Sequence, residues 1–167
     1  MNSTSDALLS EKSIKEIKRL KGLYSERKSA VLMVLHVIYD QYGYIDSRAI
    51  KGAAGIMELP VMDFEQAASF YTMFPSRKVG KYHIQVCRTI SCMLRGSEEL
   101  VEFLKEMLNI EIGGITEDGL FSLTEVECLG SCGTSPMMQV NDTYYENLTR
   151  AGAGKILEDL RNEAQND

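Results

Sequence analysis

The chain has 167 residues, 44% of them hydrophobic, and a formal net charge of −6. That length gives one domain or two small ones with a buried core. Its lysines and arginines are scattered, so the clustered basic footprint that nucleic-acid binding needs is missing, and no nucleic-acid partner is expected.

In chain order, the start "MNSTSDALLSEKSIKEIKRL" is polar and lacks the apolar centre of a signal peptide. Its second half predicts a helix with Ile14, Ile17 and Leu20 on one face and Ser10 as N-cap. "RKSAVLMVLHVIYDQYG" predicts a mostly buried helix ending near Gly43. Its apolar run, Ala30 to Tyr39, is much shorter than the roughly 20 residues of a membrane span. The expectation is a cytoplasmic protein with no direct membrane insertion. "DSRAIKGAAGIME" predicts a third helix capped by Asp46. "LPVMDFEQAASFYTMF" predicts a fourth, with Phe64, Ala67, Ala68 and Tyr71 on one face and Pro75 as its stop. The aromatic stretch "FYTMF", 70–74, is read as packing near a domain junction. These helices suggest a small bundle over 1–76.

The pattern then changes. "KYHIQV" alternates as a strand, with Tyr82, Ile84 and Val86 on one face. "GSEELVEFLKEMLNI" is amphipathic, with Leu100, Phe103, Leu104 and Met107 inward. "EDG" is a turn before the strand "LFSLTEVE". "PMMQV" is a further short strand, "YYENL" a returning hairpin arm, and "GAGKILEDLRNE" a closing helix with a frayed tail from Asn162. The order β-α-β-β-α fits a thioredoxin-like layer over 77–167. The expected fold class is therefore α+β: an N-terminal helical bundle, then a thioredoxin-like α/β domain.

The four cysteines fall in this second part as C-x4-C, a gap of 35 residues, then C-x3-C: Cys87, Cys92, Cys128 and Cys132. Each lies in or beside a loop just past a strand end, so one four-thiolate site is the economical inference. A reducing compartment disfavours disulfides. Dithiol catalysis normally uses C-x2-C at a helix N-terminus, and no such pair is present. Four-cysteine zinc sites usually use tighter knuckles. The wider spacings here suit two irons bridged by sulfide, each held by two cysteines. A zinc-stabilised interaction module stays open as the alternative. A plant-type ferredoxin pattern would need cysteine where Arg95 stands. A Rieske site would need two histidine ligands, and His36 and His83 are read as structural.

The segments "CRTISCMLRGS", "ITEDGLFSLTEVECLGSCGTSPMMQVND" and "YYENLT" resemble the thioredoxin-like [2Fe–2S] ferredoxin family. That family includes the small peripheral subunit of NADH:quinone oxidoreductase and its counterparts in NAD-linked hydrogenases and formate dehydrogenases. The resemblance implies one [2Fe–2S] cluster with Cys87, Cys92, Cys128 and Cys132 as ligands. It implies a one-electron carrier serving a flavin-bearing, NADH-oxidising partner subunit. FMN and NAD are expected on that partner, further iron–sulfur subunits beside it, and any membrane association through the complex. No G-x-G-x-x-G opens a helix after a strand and no catalytic triad stands out, so no complete active site is expected on this chain. Bundle 1–76 is expected to dock the partner. Gly130 and Gly133 would let backbone N–H groups approach an anionic cluster, and Gly96 either serves there or opens its helix. Met93, Met137 and Met138 are read mainly as core fillers. Arg88 and Arg95 are read as solvated charge. Ser131 occupies a place where alanine is also common in the family. A cis bond is expected at Pro136.

Overall fold

The computed structural model describes residues 9–166. The polar opening 1–8 lies outside them. The chain forms two compact units, one up to Lys78 and one from Val79.

In the first unit, α1 (Glu11–Leu23) starts at Ser10, whose side chain accepts from the Ser13 N–H. A 3-10 turn, Arg27–Ala30, leads into α2 (Val31–Tyr42), which ends at Gly43 in the left-handed region. Asp46 caps α3 (Ser47–Met57) by accepting from the Arg48 and Ala49 N–H groups. Pro60 precedes α4 (Val61–Phe70). These helices bury Ile17, Leu20, Val34, Leu35, Ile38, Met57 and Phe64 in one core, and Ala49, Ala53 and Ala54 line α3 there. Helix α4 stops at Phe70, five residues before Pro75, because Tyr71 turns extended and the Phe74 N–H donates to the Tyr71 carbonyl. That turn carries Phe74 into this unit's own core, its ring edge-on to His36. Phe70, by contrast, is 76% exposed and Tyr71 is exposed too.

The second unit is built on a four-stranded sheet in the order β2-β1-β3-β4. Strand β1 (Tyr82–Cys87) pairs in parallel with β2 (Phe121–Val126) and antiparallel with β3 (Met138–Val140), which pairs with β4 (Thr143–Tyr145). In register, Tyr82 lies against Phe121 and Ile84 against Leu123. This apolar face is covered by α6 (Ser97–Leu108) and α7 (Arg150–Asn166), which add Leu100, Leu104, Ala153 and Leu157 to one cluster. Val101 and Leu108 complete the inner face of α6, so Met107 turns outward to 38% exposure. Helix α7 runs on past Asn162 to Asn166. Gly96 opens α6. Gly80 lies so close to β2 that a Cβ there would stand 2.5 Å from the Phe121 carbonyl carbon.

The whole is an α+β fold: N-terminal helices followed by a thioredoxin-like α/β unit. Among the described residues no helix is long and apolar enough to cross a membrane.

Candidate metal centre

Side chains alternate across a strand. Val86 therefore joins the core beneath α6 and α7, whereas Cys87, the last residue of β1, faces the other way. It forms a separate small cluster with Cys92 and Met137, against which Leu129 packs. Cys92 lies in the single-turn helix α5 (Ile90–Met93) rather than in an open loop. Cys128 lies two residues beyond the end of β2, and Cys132 opens a 3-10 turn, Cys132–Thr134. The site thus sits past the carboxyl ends of two adjacent parallel strands, with β3 entering beside it. The Cys87 N–H donates to the Met137 carbonyl and the Arg88 N–H to Val126. The Ser135–Pro136 bond is cis, as expected from the sequence.

The four thiols differ. Cys87 and Cys92 are 3% and 1% exposed; Cys128 and Cys132 face solvent. Burial pushes Cys87 up, but hydrogen bonds from the Thr89 hydroxyl, the Thr89 and Leu129 backbone and Cys92 outweigh it and hold its thiol below the ordinary value. Cys92 is pushed up, first by burial and then by the neighbouring Cys87. Cys132 adds to that rise electrostatically, while the Met137 backbone opposes it. Gly130, at φ +77°, turns the loop so that its N–H meets Cys128 Sγ at 3.4 Å; a side chain would strain that conformation. Gly133 stands in open space. Of the methionines, Met137 is fully buried against Cys87 and Cys92, Met138 belongs to the sheet core, and Met93 is exposed. Arg88 is exposed, 4.0 Å from a still more exposed Glu127. His83 is turned to structural use: its Nδ1 lies 2.8 Å from Ser122 Oγ, and burial lowers its pKa.

Residues that the sequence reading passed over fasten these loops. Ser135, 2% exposed, donates to the Cys132 carbonyl at 3.0 Å and to the Ser91 carbonyl at 3.3 Å, joining both cysteine segments. The Thr89 hydroxyl bridges Cys87 Sγ and the Glu127 carbonyl. Tyr144 Oη donates to the Leu129 carbonyl at 2.9 Å. Ser131 and Thr134 both donate to Glu146, so Ser131 is not an indifferent position. The cluster of hydroxyl residues around the second cysteine pair, "GSCGTS", was the available signal.

The characteristic sequence of the thioredoxin-like [2Fe–2S] ferredoxins matches residues 15–161. The chain belongs to that family. The NADH-quinone oxidoreductase subunits E of Rickettsia conorii and Rickettsia bellii are 41% and 44% identical to it over 138 residues, 82% of this chain and 83% of each relative. The mitochondrial NADH dehydrogenase flavoprotein 2 of Dictyostelium discoideum is 43% identical over 137 residues, 81% of this chain and 56% of that one. In fold, the chain resembles part of an NAD+-reducing [NiFe]-hydrogenase crystallised in the H2-reduced state, with a TM-score of 0.67 at 21% identity. That match covers 79% of this chain and 22% of the longer one.

The residues present suit the cluster after which this ferredoxin family is named. A zinc site with four cysteines would need all four sulfurs about 2.3 Å from one ion. In this chain the thiols fall into a buried pair, Cys87 and Cys92, and an exposed pair, Cys128 and Cys132, on a separate loop. Two thiolates for each of two irons is the donor set of a binuclear centre.

Proposed function

We propose that Cys87, Cys92, Cys128 and Cys132 hold one [2Fe–2S] cluster and that the chain is an electron-transfer subunit of an NADH-oxidising complex. When bound, such a cluster accepts and returns a single electron. The observation that carries this reading is the meeting of the C-x4-C and C-x3-C segments past the ends of β1 and β2, in a chain over 40% identical to NADH-quinone oxidoreductase subunits.

The protein's own groups do the supporting work. Met137 and Leu129 keep water from the Cys87–Cys92 side. Backbone N–H groups of Leu129 and Met137 point at the Cys87 and Cys92 sulfurs and favour their thiolate forms, and the Gly130 N–H meets Cys128 Sγ. Ser135 holds the two cysteine segments at a fixed spacing. Cys128 and Cys132 lie at the surface, where an electron can pass to a docked partner. A flavin on that partner would split the hydride pair into single electrons, so FMN and NAD are assigned to the partner and no complete active site to this chain.

The helical bundle, read from sequence as 1–76, is assigned to docking. Its exposed Met62, Phe70 and Met73 offer apolar surface of the kind that marks protein contacts. Ile90 and Leu94, 65% and 76% exposed, do the same beside Cys92. Any attachment to a membrane follows from the complex.

Anaerobic purification followed by iron, sulfide and zinc analysis tests the centre. About two irons and two sulfides per chain, with an EPR signal that appears on reduction, are expected. Zinc in place of iron would refute it. For docking, Phe70→Glu should abolish co-purification with the flavoprotein while leaving the iron content intact; unchanged co-purification would refute that assignment.

A further inference from the structure

Strand β4 and the segment that follows it close on the second cysteine loop at four points. Tyr144 Oη donates to the Leu129 carbonyl, the Asn147 N–H to Thr134 at 2.6 Å, and the Leu148 N–H to Pro136 at 2.9 Å. The fourth point is Glu146. One of its carboxylate oxygens, Oε1, accepts from both Ser131 Oγ and Thr134 Oγ1, which stand 2.6 Å apart. These hydroxyls flank Cys132, one residue before it and two after. The three backbone and phenol contacts could fasten the loop without any charge. A carboxylate at the fourth point adds a negative charge, and among the described residues no lysine, arginine or histidine pairs with it. The two hydroxyls hold the Glu146 carboxyl below the usual carboxylate range, so it is ionised at neutral pH.

We propose that Glu146 is a positioning residue of the cysteine loop with a second effect: it fixes the Cys132 turn through Ser131 and Thr134, and its unbalanced charge disfavours adding an electron to a centre held there. The proposal rests on the reading above that the four cysteines hold a [2Fe–2S] cluster. An anion fixed beside a group that becomes more negative on reduction raises the cost of that step. Solvent screens an exposed carboxylate, so the effect is moderate and falls with salt.

The test uses the full chain loaded with its cluster, wild type against Glu146→Gln and Glu146→Ala. Glutamine keeps a carbonyl oxygen for both hydroxyls and removes the charge; alanine removes both. EPR-monitored redox titration at low salt reads the charge effect, and the rate of iron loss to a chelator reads the positioning. Glu146→Gln should be reduced about threefold more favourably, a midpoint about 30 mV higher at 59 mV per tenfold. The difference should shrink in high salt, with iron loss unchanged. Glu146→Ala should show a similar shift and lose iron several-fold faster. A Glu146→Gln reduction equilibrium within about 1.5-fold of wild type, or a Glu146→Ala iron loss as slow as wild type, overturns the proposal. A wild-type chain without two irons and two sulfides instead sinks the parent reading, and this proposal with it. A loaded wild type beside an unmoved Glu146→Gln sinks this proposal alone.

Discussion

Ser135→Ala removes a buried side-chain hydroxyl that joins both cysteine segments. In the folded chain Ser135 Oγ is 3.0 Å from the Cys132 carbonyl and 3.3 Å from that of Ser91, and the residue is 2% exposed. Alanine fits the space but leaves those carbonyls without this donor. These bonds are part-buried, and a typical intramolecular hydrogen bond contributes about 0.5–1.5 kcal/mol. At roughly 1.4 kcal/mol per factor of ten, about 1.5 kcal/mol makes opening of the Cys132 turn about tenfold more favourable. If iron leaves through that opening, a chelator should bleach the Ser135→Ala protein about tenfold faster than wild type at equal iron content. Ser122→Ala is the control. Its hydroxyl is also buried, accepting from the Gly80 N–H at 3.0 Å and meeting His83, but it stands at the opposite end of β2. It should weaken the sheet without hastening iron loss. Equal rates for Ser135→Ala and wild type would refute the argument. Equal acceleration by both variants would show that release follows whole-unit stability and not the loop.

Serine at any one of Cys87, Cys92, Cys128 or Cys132 should cost the purified chain most of its iron. His83→Gln should keep it, because His83 is bound to Ser122 on the strand; colorimetric iron analysis separates these cases. Gly80→Ala should destabilise the second unit by about 1–3 kcal/mol, since its Cβ would meet backbone atoms of Phe121 and Ser122 at 2.5–2.8 Å; urea unfolding followed by far-UV dichroism measures it. Asp46 gives a pH test. Its carboxyl is held below the usual value first by the Arg48 side chain and then by backbone N–H groups. A depressed folded pKa contributes stability above the unfolded value, and that contribution is lost as pH falls through the folded value. Wild type should therefore lose stability relative to Asp46→Asn between about pH 5 and pH 2, and a constant difference across that range would refute it.

Local chemistry made much of this fold legible. Ser10, Gly43 and Asp46 act where helix-end rules place them, and β1 alternates as its residues demand. The cysteine spacing located the candidate centre because ligand loops are short and contiguous. What the sequence concealed depends on distant partners. Nothing near Phe70 ends α4; the helix yields because Phe74 finds His36 and the core. Met107 has helical spacing for burial, yet Val101 and Leu108 take the inner face once α6 settles on the sheet. Ser135 and Glu146 act on segments 44 and 15 positions away, a pairing that only the closed sheet creates.

The place of Cys87 as the final residue of the central strand has a practical consequence. Its neighbours on either side, Val86 and Arg88, carry no metal-binding sulfur, and a one-residue slip in pairing turns every side chain of a strand to the opposite face. With Cys87 as a ligand, as proposed, a mispaired chain would present the wrong group to the iron and stay colourless. Visible absorbance per unit protein thus becomes a gauge of correct strand alignment. Chains mispaired in this way would add to the pale fraction of a fresh anaerobic preparation.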